Sequence, residues 1–241
     1  ECMRKFGYLG FLLGLLGGLL LSDGAQAQDL QAYTGLSVEK TIAHRLHLAW
    51  SEELHMKERI TQVDRIYSIF GISYDLRPWL EVGVNYTFIA VKKRSDWEFR
   101  NRANFDLTGS YHIASQWKLS LRERLRVTST NKETDAQTTA NPAWILRSRL
   151  QVEHKLRRAP LTPYGYIELS NTLNAPAATG DYIDKIRFSL GVKYAVTTRS
   201  TLNFYYRLDH NYTRMVEQAT WIATSERQNN HIIGIFYEYS F

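Results

Sequence analysis

Apolar and polar residues alternate along several stretches of the chain. In 80–88 the even positions carry Leu, Val, Val, Tyr and Phe, and the odd positions between them carry Glu, Gly, Asn and Thr. The stretches 105–113, 117–122, 186–194 and 202–209 repeat this pattern. Because successive side chains of a β-strand point to opposite faces, each stretch predicts a strand with one apolar and one polar face.

The number and length of these stretches predict a barrel that crosses a membrane. There are about eleven of them, most of about 12 to 15 residues, whereas globular strands average about five or six residues. A tilted strand needs about nine to eleven residues to cross a bilayer. We therefore predict an all-β fold: a transmembrane, antiparallel, up-and-down β-barrel of about 10–12 strands.

The connections between the predicted strands alternate in length. Short turns are expected near 43–44, 76–78, 114–116 and 197–199, with a longer turn at 157–162. The longer polar segments are 57–62, 92–96, 130–141, 174–181 and 214–230. Short turns on one side and longer loops on the other are typical of outer-membrane barrels, in which the turns are periplasmic and the loops extracellular.

The start of the chain carries the layout of a secretory signal peptide. Arg4 and Lys5 precede an apolar stretch over 6–21, and a small-x-small cleavage site ends at Ala27. We predict cleavage after Ala27, which leaves 28–241 as one barrel domain. The alternative is a membrane anchor, because the apolar stretch borders the length that a spanning helix needs.

Composition and charge exclude other classes of protein. Mean hydropathy is −0.35, and after Ala27 no apolar run approaches the roughly 20 residues of a spanning helix, which excludes a helical membrane protein. The single cysteine, Cys2, lies before the cleavage site, so we expect neither disulfides nor thiolate metal sites. The net charge of +6 is spread along the whole chain. We therefore expect no nucleic-acid partner.

The polar faces of the predicted strands carry many arginines and several carboxylates. If the apolar faces meet lipid, these polar faces line the barrel interior. The predicted interior residues are Arg100, Arg102, Asp106, Arg122, Arg124, Arg126, Arg147, Arg149, Glu153, Glu168, Arg187 and Arg207. Two interpretations follow: ion pairs that fill a narrow barrel, or excess positive charge that lines a water path and favours anions. A small barrel has little free interior, which favours the interpretation in which ion pairs fill it.

Two carboxylates do not fit this division of faces. Glu52 and Glu123 fall on faces that are otherwise apolar. A carboxylate in the middle of a bilayer is costly. We expect either a bulge in the strand at each position or a location outside the apolar band.

The last predicted strand ends in aromatic residues. Tyr237, Tyr239 and Phe241 share one face, and Phe241 closes the sequence. A terminal aromatic strand that ends in Phe resembles the signal read by the barrel-insertion machinery. The expected partners are therefore this machinery and outer-membrane lipid, in a Gram-negative outer membrane.

Several strings along the chain carry a family resemblance. They are 35–40 (GLSVEK), 51–54 (SEEL), 71–76 (GISYDL), 85–88 (NYTF), 163–168 (PYGYIE), 186–194 (IRFSLGVKY), 204–207 (FYYR) and the terminal strand. In order and spacing they resemble the domain of unknown function 2490 family of exported β-barrels, over nearly all of 28–241. The resemblance implies architecture and location. It implies no chemistry, because the family has no assigned activity.

These observations predict a barrel without catalysis, structural or with a narrow pore, and with no cofactor or metal. The first alternative is a lipid-modifying hydrolase, for which a Ser near an oriented His would be needed. The second is a soluble periplasmic β-barrel that binds a ligand. A count of about eleven strands is odd, whereas bacterial barrels normally have even numbers. We expect that 28–42 adds a short strand, enters the interior, or lies outside the barrel.

Overall fold

The computed structural model describes residues 29–132, 140–176, 180, 182–216 and 223–241. Within these ranges the chain forms eleven long strands and no helix. The strands are β1 (Asp29–Ala43), β2 (Leu46–Lys57), β3 (Gln62–Arg77), β4 (Leu80–Lys92), β5 (Trp97–Ala114), β6 (Trp117–Thr130), β7 (Ala143–His154), β8 (Leu161–Thr172), β9 (Tyr182–Ala195), β10 (Ser200–Val216) and β11 (Ala223–Ser240). The predicted signal peptide lies outside the described residues. In the part of the chain that is described, no helix could cross a membrane.

The strands close into one barrel in sequence order. Each strand from β2 to β11 pairs antiparallel with the strand before it, and β1 then closes the sheet against β11. This last pair is parallel, with partners from Asp29 and Asn230 to Glu39 and Ser240. The predicted closed all-β barrel is confirmed, and its eleven strands fall in the expected range. The prediction that it is antiparallel throughout was wrong at this one seam.

The N-terminal segment is a full barrel strand. β1 makes a long antiparallel ladder with β2 and a parallel ladder with β11, so both of its edges are paired. None of the three arrangements expected for 28–42 occurs in the described residues. Pairing on both edges satisfies the backbone N–H and C=O groups that an open edge would leave exposed.

The barrel has two distinct ends. At one, which we call the turn end, the strands are joined by 44–45, 78–79, 115–116, 155–160 and 196–199. At the other, the loop end, they are joined by 58–61, 93–96, 131–142, 173–181 and 217–222. The prediction of a long polar segment at 214–230 was wrong: β10 continues to Val216 and β11 begins at Ala223, and the two strands pair from Ser200 and Tyr239 to Val216 and Ala223.

Apolar side chains lie mainly on the outside of the barrel. Leu190 is 67 % exposed and Phe70 is 54 % exposed, although both lie on strands. A small apolar cluster is buried inside near the loop end and consists of Tyr67, Ile89 and Val91. The rest of the interior is mostly polar, so the fold has its apolar surface facing outward.

Glu52 and Glu123 lie on this outer surface. Each has a hydroxyl partner on the next strand: Ser68 Oγ donates to Glu52 at 2.9 Å, and Ser148 Oγ donates to Glu123 at 2.6 Å. The ladders on both sides of each residue continue without a register shift at these positions. A bulge therefore does not account for either carboxylate, and hydrogen bonds from neighbouring strands satisfy part of their bonding capacity.

Two aromatic rings inside the barrel lie flat over glycines of the neighbouring strand. A Cβ atom on Gly191 would lie 2.5 Å from Cζ of Tyr164, and one on Gly234 would lie 2.1 Å from Cζ of Tyr205. Only a residue without a side chain leaves room for such close approach. These contacts fix the two tyrosines beside the charged residues described next.

Candidate functional site: the charged barrel interior

Alternate residues of neighbouring strands bring arginines side by side inside the barrel. Arg122 on β6 is the register partner of Arg149 on β7, and Arg124 is the partner of Arg147. Like charges directly opposite each other on a sheet destabilise it. Carboxylates from other strands must therefore lie nearby to offset the repulsion.

Glu168 on β8 is the main counter-charge. Its side chain has no exposed surface (0 %). Its Oε1 accepts hydrogen bonds from Arg147 and from Arg187 Nη1, the latter at 2.7 Å. Its Oε2 accepts from Arg149 Nε at 2.8 Å and from Arg122 Nη2 at 3.3 Å. Four guanidinium groups from three strands thus converge on one buried carboxylate, an arrangement we call the Glu168 cluster.

Asp209 on β10 extends this cluster towards the loop end. Arg187 donates to it through Nε at 2.8 Å and through Nη2 at 3.0 Å, a bidentate pair. Arg207 Nε lies 3.0 Å from Asp209 Oδ1, and Lys185 Nζ lies 3.7 Å from Oδ2. Arg187 bonds both carboxylates, so it links Asp209 to Glu168.

Asp106 on β5 forms a second ion pair, with its register partner Arg124 on the neighbouring β6. Arg124 donates to Oδ1 through Nε and to Oδ2 through Nη2, both at 2.6 Å. Asn85 Nδ2 also donates to Oδ2, at 3.0 Å. This pair is near the middle of the barrel, because Asn85, Arg124 and Arg149 line both of the cavities described below.

The remaining interior residues predicted from sequence lie apart from these clusters. Arg100 donates to Glu98 at 2.6 Å near the loop end, and Glu153 pairs with Lys193 at 3.0 Å near the turn end. Arg102 donates to the hydroxyl of Thr128 at 3.1 Å.

Arg102 and Arg126 differ from the other predicted arginines in their partners. Neither has a carboxylate within 4.0 Å among the described residues. The side chain of Arg126 makes no hydrogen bond among these residues either, and its Nε is buried.

Two cavities occupy the interior. The turn-end chamber has a volume of about 390 Å³ and the loop-end chamber about 610 Å³. The charged groups of the turn-end chamber balance: Lys118, Arg122, Arg124 and Arg149 against Glu39, Glu81, Asp106 and Glu153. Those of the loop-end chamber do not: Arg65, Arg102, Arg124, Arg126, Arg147, Arg149, Lys185, Arg187 and Arg207 against Glu53, Asp64 and Asp209.

Aromatic and histidine side chains line the loop-end chamber beside the arginines. Tyr33 stacks on His55 with ring centroids 3.5 Å apart, and His55 Nε2 lies 2.9 Å from Glu53 Oε2. The guanidinium of Arg207 lies 4.8 Å from the centroid of the Tyr33 ring. The ring of Tyr33 thus holds the guanidinium of Arg207 at the wall of this chamber.

Several interior residues were missed from the sequence. Glu98 and Lys185 lie two residues from the predicted interior arginines Arg100 and Arg187, and strand parity would have found them. Arg65 shares the parity of Tyr67, an interior residue that the sequence analysis did not name. The contact between Tyr33 and His55 could not be predicted from strand parity, because their stacking depends on how β1 and β2 are paired.

The described residues hold no group of three or more His, Cys, Asp or Glu that could bind a metal ion. At the C-terminus, Tyr237 and Phe241 lie exposed on the outer surface. The ring of Tyr239 packs edge-on against that of Phe241, with centroids 4.8 Å apart. The last strand therefore ends as an aromatic patch at the turn end.

Fold and interior together define a class of protein: a closed β-barrel with an apolar outer surface and an ion-paired, arginine-rich interior. A family model described as "Protein of unknown function (DUF2490)" matches residues 30–220. The chain therefore belongs to this family, as the resemblance predicted. No curated protein matches the chain.

Proposed function

We propose that the chain is an outer-membrane β-barrel of a Gram-negative bacterium, non-enzymatic, with an interior closed by ion pairs. The observation that carries the proposal is the inverted distribution of side chains. Among the described residues, six apolar side chains are buried and 35 large apolar ones are exposed, so a soluble barrel would expose its main apolar surface to water. Apolar-out and polar-in alternation is what a membrane barrel requires.

Ion pairs between the strands inside the barrel favour a closed interior rather than a wide pore. The Glu168 cluster joins β6, β7, β8 and β9, and Arg187 carries it on to Asp209 of β10. The pair between Arg124 and Asp106 extends this series of ion pairs to β5. Bidentate arginine–carboxylate pairs hold a fixed geometry, so they act as a plug at mid-height and give the barrel its shape.

The proposed location rests on the predicted signal peptide and on the aromatic side chains of β11. The predicted signal peptide over 1–27 would direct export, and the terminal aromatic strand with Phe241 would engage the insertion machinery. Outer-membrane lipid would then cover the apolar surface between the two ends of the barrel.

Arginine substitutions on the outer surface test membrane insertion. Leu190 lies well inside β9 and is 67 % exposed, whereas Tyr111 lies near the turn end of β5 and is 69 % exposed. In a bilayer we expect Leu190→Arg to reduce the free energy of unfolding by about 2–4 kcal/mol and Tyr111→Arg by about 0–1 kcal/mol. In a soluble barrel both exposed positions would tolerate arginine equally, and that result would contradict the proposal.

Membrane fractionation and heat-modifiable migration on gels test whether the chain is inserted in the outer membrane of cells. We expect the chain in the outer-membrane fraction, migrating faster before boiling than after it. Recovery in the soluble periplasmic fraction would support the soluble alternative.

Conductance in planar bilayers tests the closed interior separately. We expect no discrete steps from the refolded barrel. Stepwise, anion-selective conductance would contradict the plug while leaving the membrane barrel intact. Release of fatty acid from phospholipid or lipopolysaccharide by the refolded protein would contradict the non-enzymatic role.

A further inference from the structure

The loop-end chamber has more positive charge than its own carboxylates can offset. Nine cations and three carboxylates line it, and two of the cations, Arg124 and Arg149, also line the turn-end chamber. With Arg124 assigned to Asp106 and the buried Glu168 added to the carboxylates, four cations remain in excess. The turn-end chamber, with four of each, shows that the barrel can balance its interior charge. Excess charge held away from bulk water is costly unless an opposite charge joins it.

The excess is concentrated on one side of the chamber. The side chain of Arg126 on β6 has neither a hydrogen bond nor a carboxylate within 4.0 Å among the described residues, and its Nε is buried. Arg102 on the neighbouring β5 donates to the hydroxyl of Thr128 and lies 5.8 Å from the centroid of the Tyr67 ring, but it has no carboxylate within 4.0 Å among the described residues. Arg147 on β7 bonds Glu168 through Nη2, but its Nε is buried without an acceptor. The adjacent strands β6 and β7 thus each present a buried guanidinium N–H that lacks an acceptor, and Arg102 lies beside them on β5.

We propose that the loop-end chamber binds a small multivalent oxyanion, a phosphate or carboxylate solute, between Arg102, Arg126 and Arg147. Planar guanidinium groups match phosphate and carboxylate oxygens and donate to them in pairs. The cavity of about 610 Å³ falls within the ordinary size of small-molecule sites. The Glu168 cluster forms the floor of the site, so the ion pairs that close the barrel also hold the arginines in place.

The site does not depend on the membrane, because its residues all lie inside the barrel. Binding can therefore be measured on the full refolded chain in a neutral detergent, with pyrophosphate, inorganic phosphate and citrate as probes and chloride keeping the ionic strength constant. We expect saturable binding of the multivalent anions and a rise in unfolding temperature that follows their concentration.

Matched charge-neutral variants locate the site. We expect Arg126→Gln to weaken pyrophosphate binding about tenfold or more, because a charge-assisted pair of hydrogen bonds is lost. Arg126→Lys should recover part of the affinity. Arg158→Gln is the control, because it removes an equal charge from an exposed turn at the opposite end of the barrel. It should change the affinity for pyrophosphate less than about twofold, since exposed charges at that distance are screened.

Stability without ligand separates a binding role from a structural one. Arg126→Gln removes an unpaired cation from among like charges, so the ligand-free variant should unfold at the same or a higher temperature than the parent. Absence of saturable binding above the chloride background, or equal weakening in Arg158→Gln, would overturn the proposal. Binding only of anionic lipid added to the detergent would overturn the assignment to a solute.

Discussion

Replacing the buried carboxylate of Glu168 removes the counter-charge of four arginines at once. Arg187 keeps its bidentate pair with Asp209, but Arg122, Arg147 and Arg149 keep no carboxylate within 4.0 Å among the described residues. Breaking one buried ion pair by removing a single partner costs about 3–5 kcal/mol. We expect Glu168→Gln to lower the free energy of unfolding by about 3–5 kcal/mol, because the amide still accepts hydrogen bonds but carries no charge.

The measurement is a urea titration of the refolded barrel in neutral lipid vesicles, followed by tryptophan fluorescence and extrapolated linearly to water. Glu153→Gln is the matched control: Glu153 has one cation partner, Lys193 at 3.0 Å, and both side chains are partly exposed. We expect Glu153→Gln to lower the free energy of unfolding by about 0–1 kcal/mol. Equal losses for the two variants would refute the view that convergence on Glu168 stabilises the barrel.

Three further substitutions test the packing, the seam and the outer surface. Gly191→Ala should lower the free energy of unfolding by about 1–3 kcal/mol in the same titration, because the new Cβ would meet the ring of Tyr164. Gly109→Ala is the control: its Cβ would have nothing within 4 Å, so the free energy of unfolding should change by less than about 0.5 kcal/mol. Leu36→Cys combined with Tyr237→Cys should form an intramolecular disulfide on oxidation, visible as a gel shift, because the two are register partners across the parallel seam; no disulfide in the folded barrel would contradict that seam. Glu123→Leu should raise the free energy of unfolding in bilayers by about 1 kcal/mol, and a loss there would contradict a lipid-facing position.

Strand faces could be predicted from the sequence because they depend only on local alternation. Residue parity alone assigned Arg122, Arg124 and Arg126 to one face of β6, and the structure has them on the interior side. Their partners could not be predicted in this way. Arg122 reaches Glu168 on β8, 46 residues further along the chain and two strands away, and that contact depends on the register and tilt of the closed sheet.

The loop-end segments show a second limit of pattern reasoning. The stretch 214–230 was predicted to be a long loop because polar residues such as Gln228, Asn229 and Asn230 interrupt the alternation. Backbone hydrogen bonds continue through these residues, whatever the side chains are. A strand can extend beyond the apolar surface of a barrel, and there the alternation that marks it in sequence disappears.

The parallel seam follows from the odd number of strands. In an up-and-down meander each strand reverses direction, so the first and last strands run oppositely when their number is even and in the same direction when it is odd. With eleven strands, β1 and β11 must pair parallel if the sheet is to close, and their register partners do so over the length of the seam. Bacterial barrels normally have an even number of strands, and this expectation was the reason that 28–42 was not predicted to be a full barrel strand. Because β1 starts at the loop end and runs to the turn end, it closes the barrel against β11 without an added strand or a segment inside the barrel.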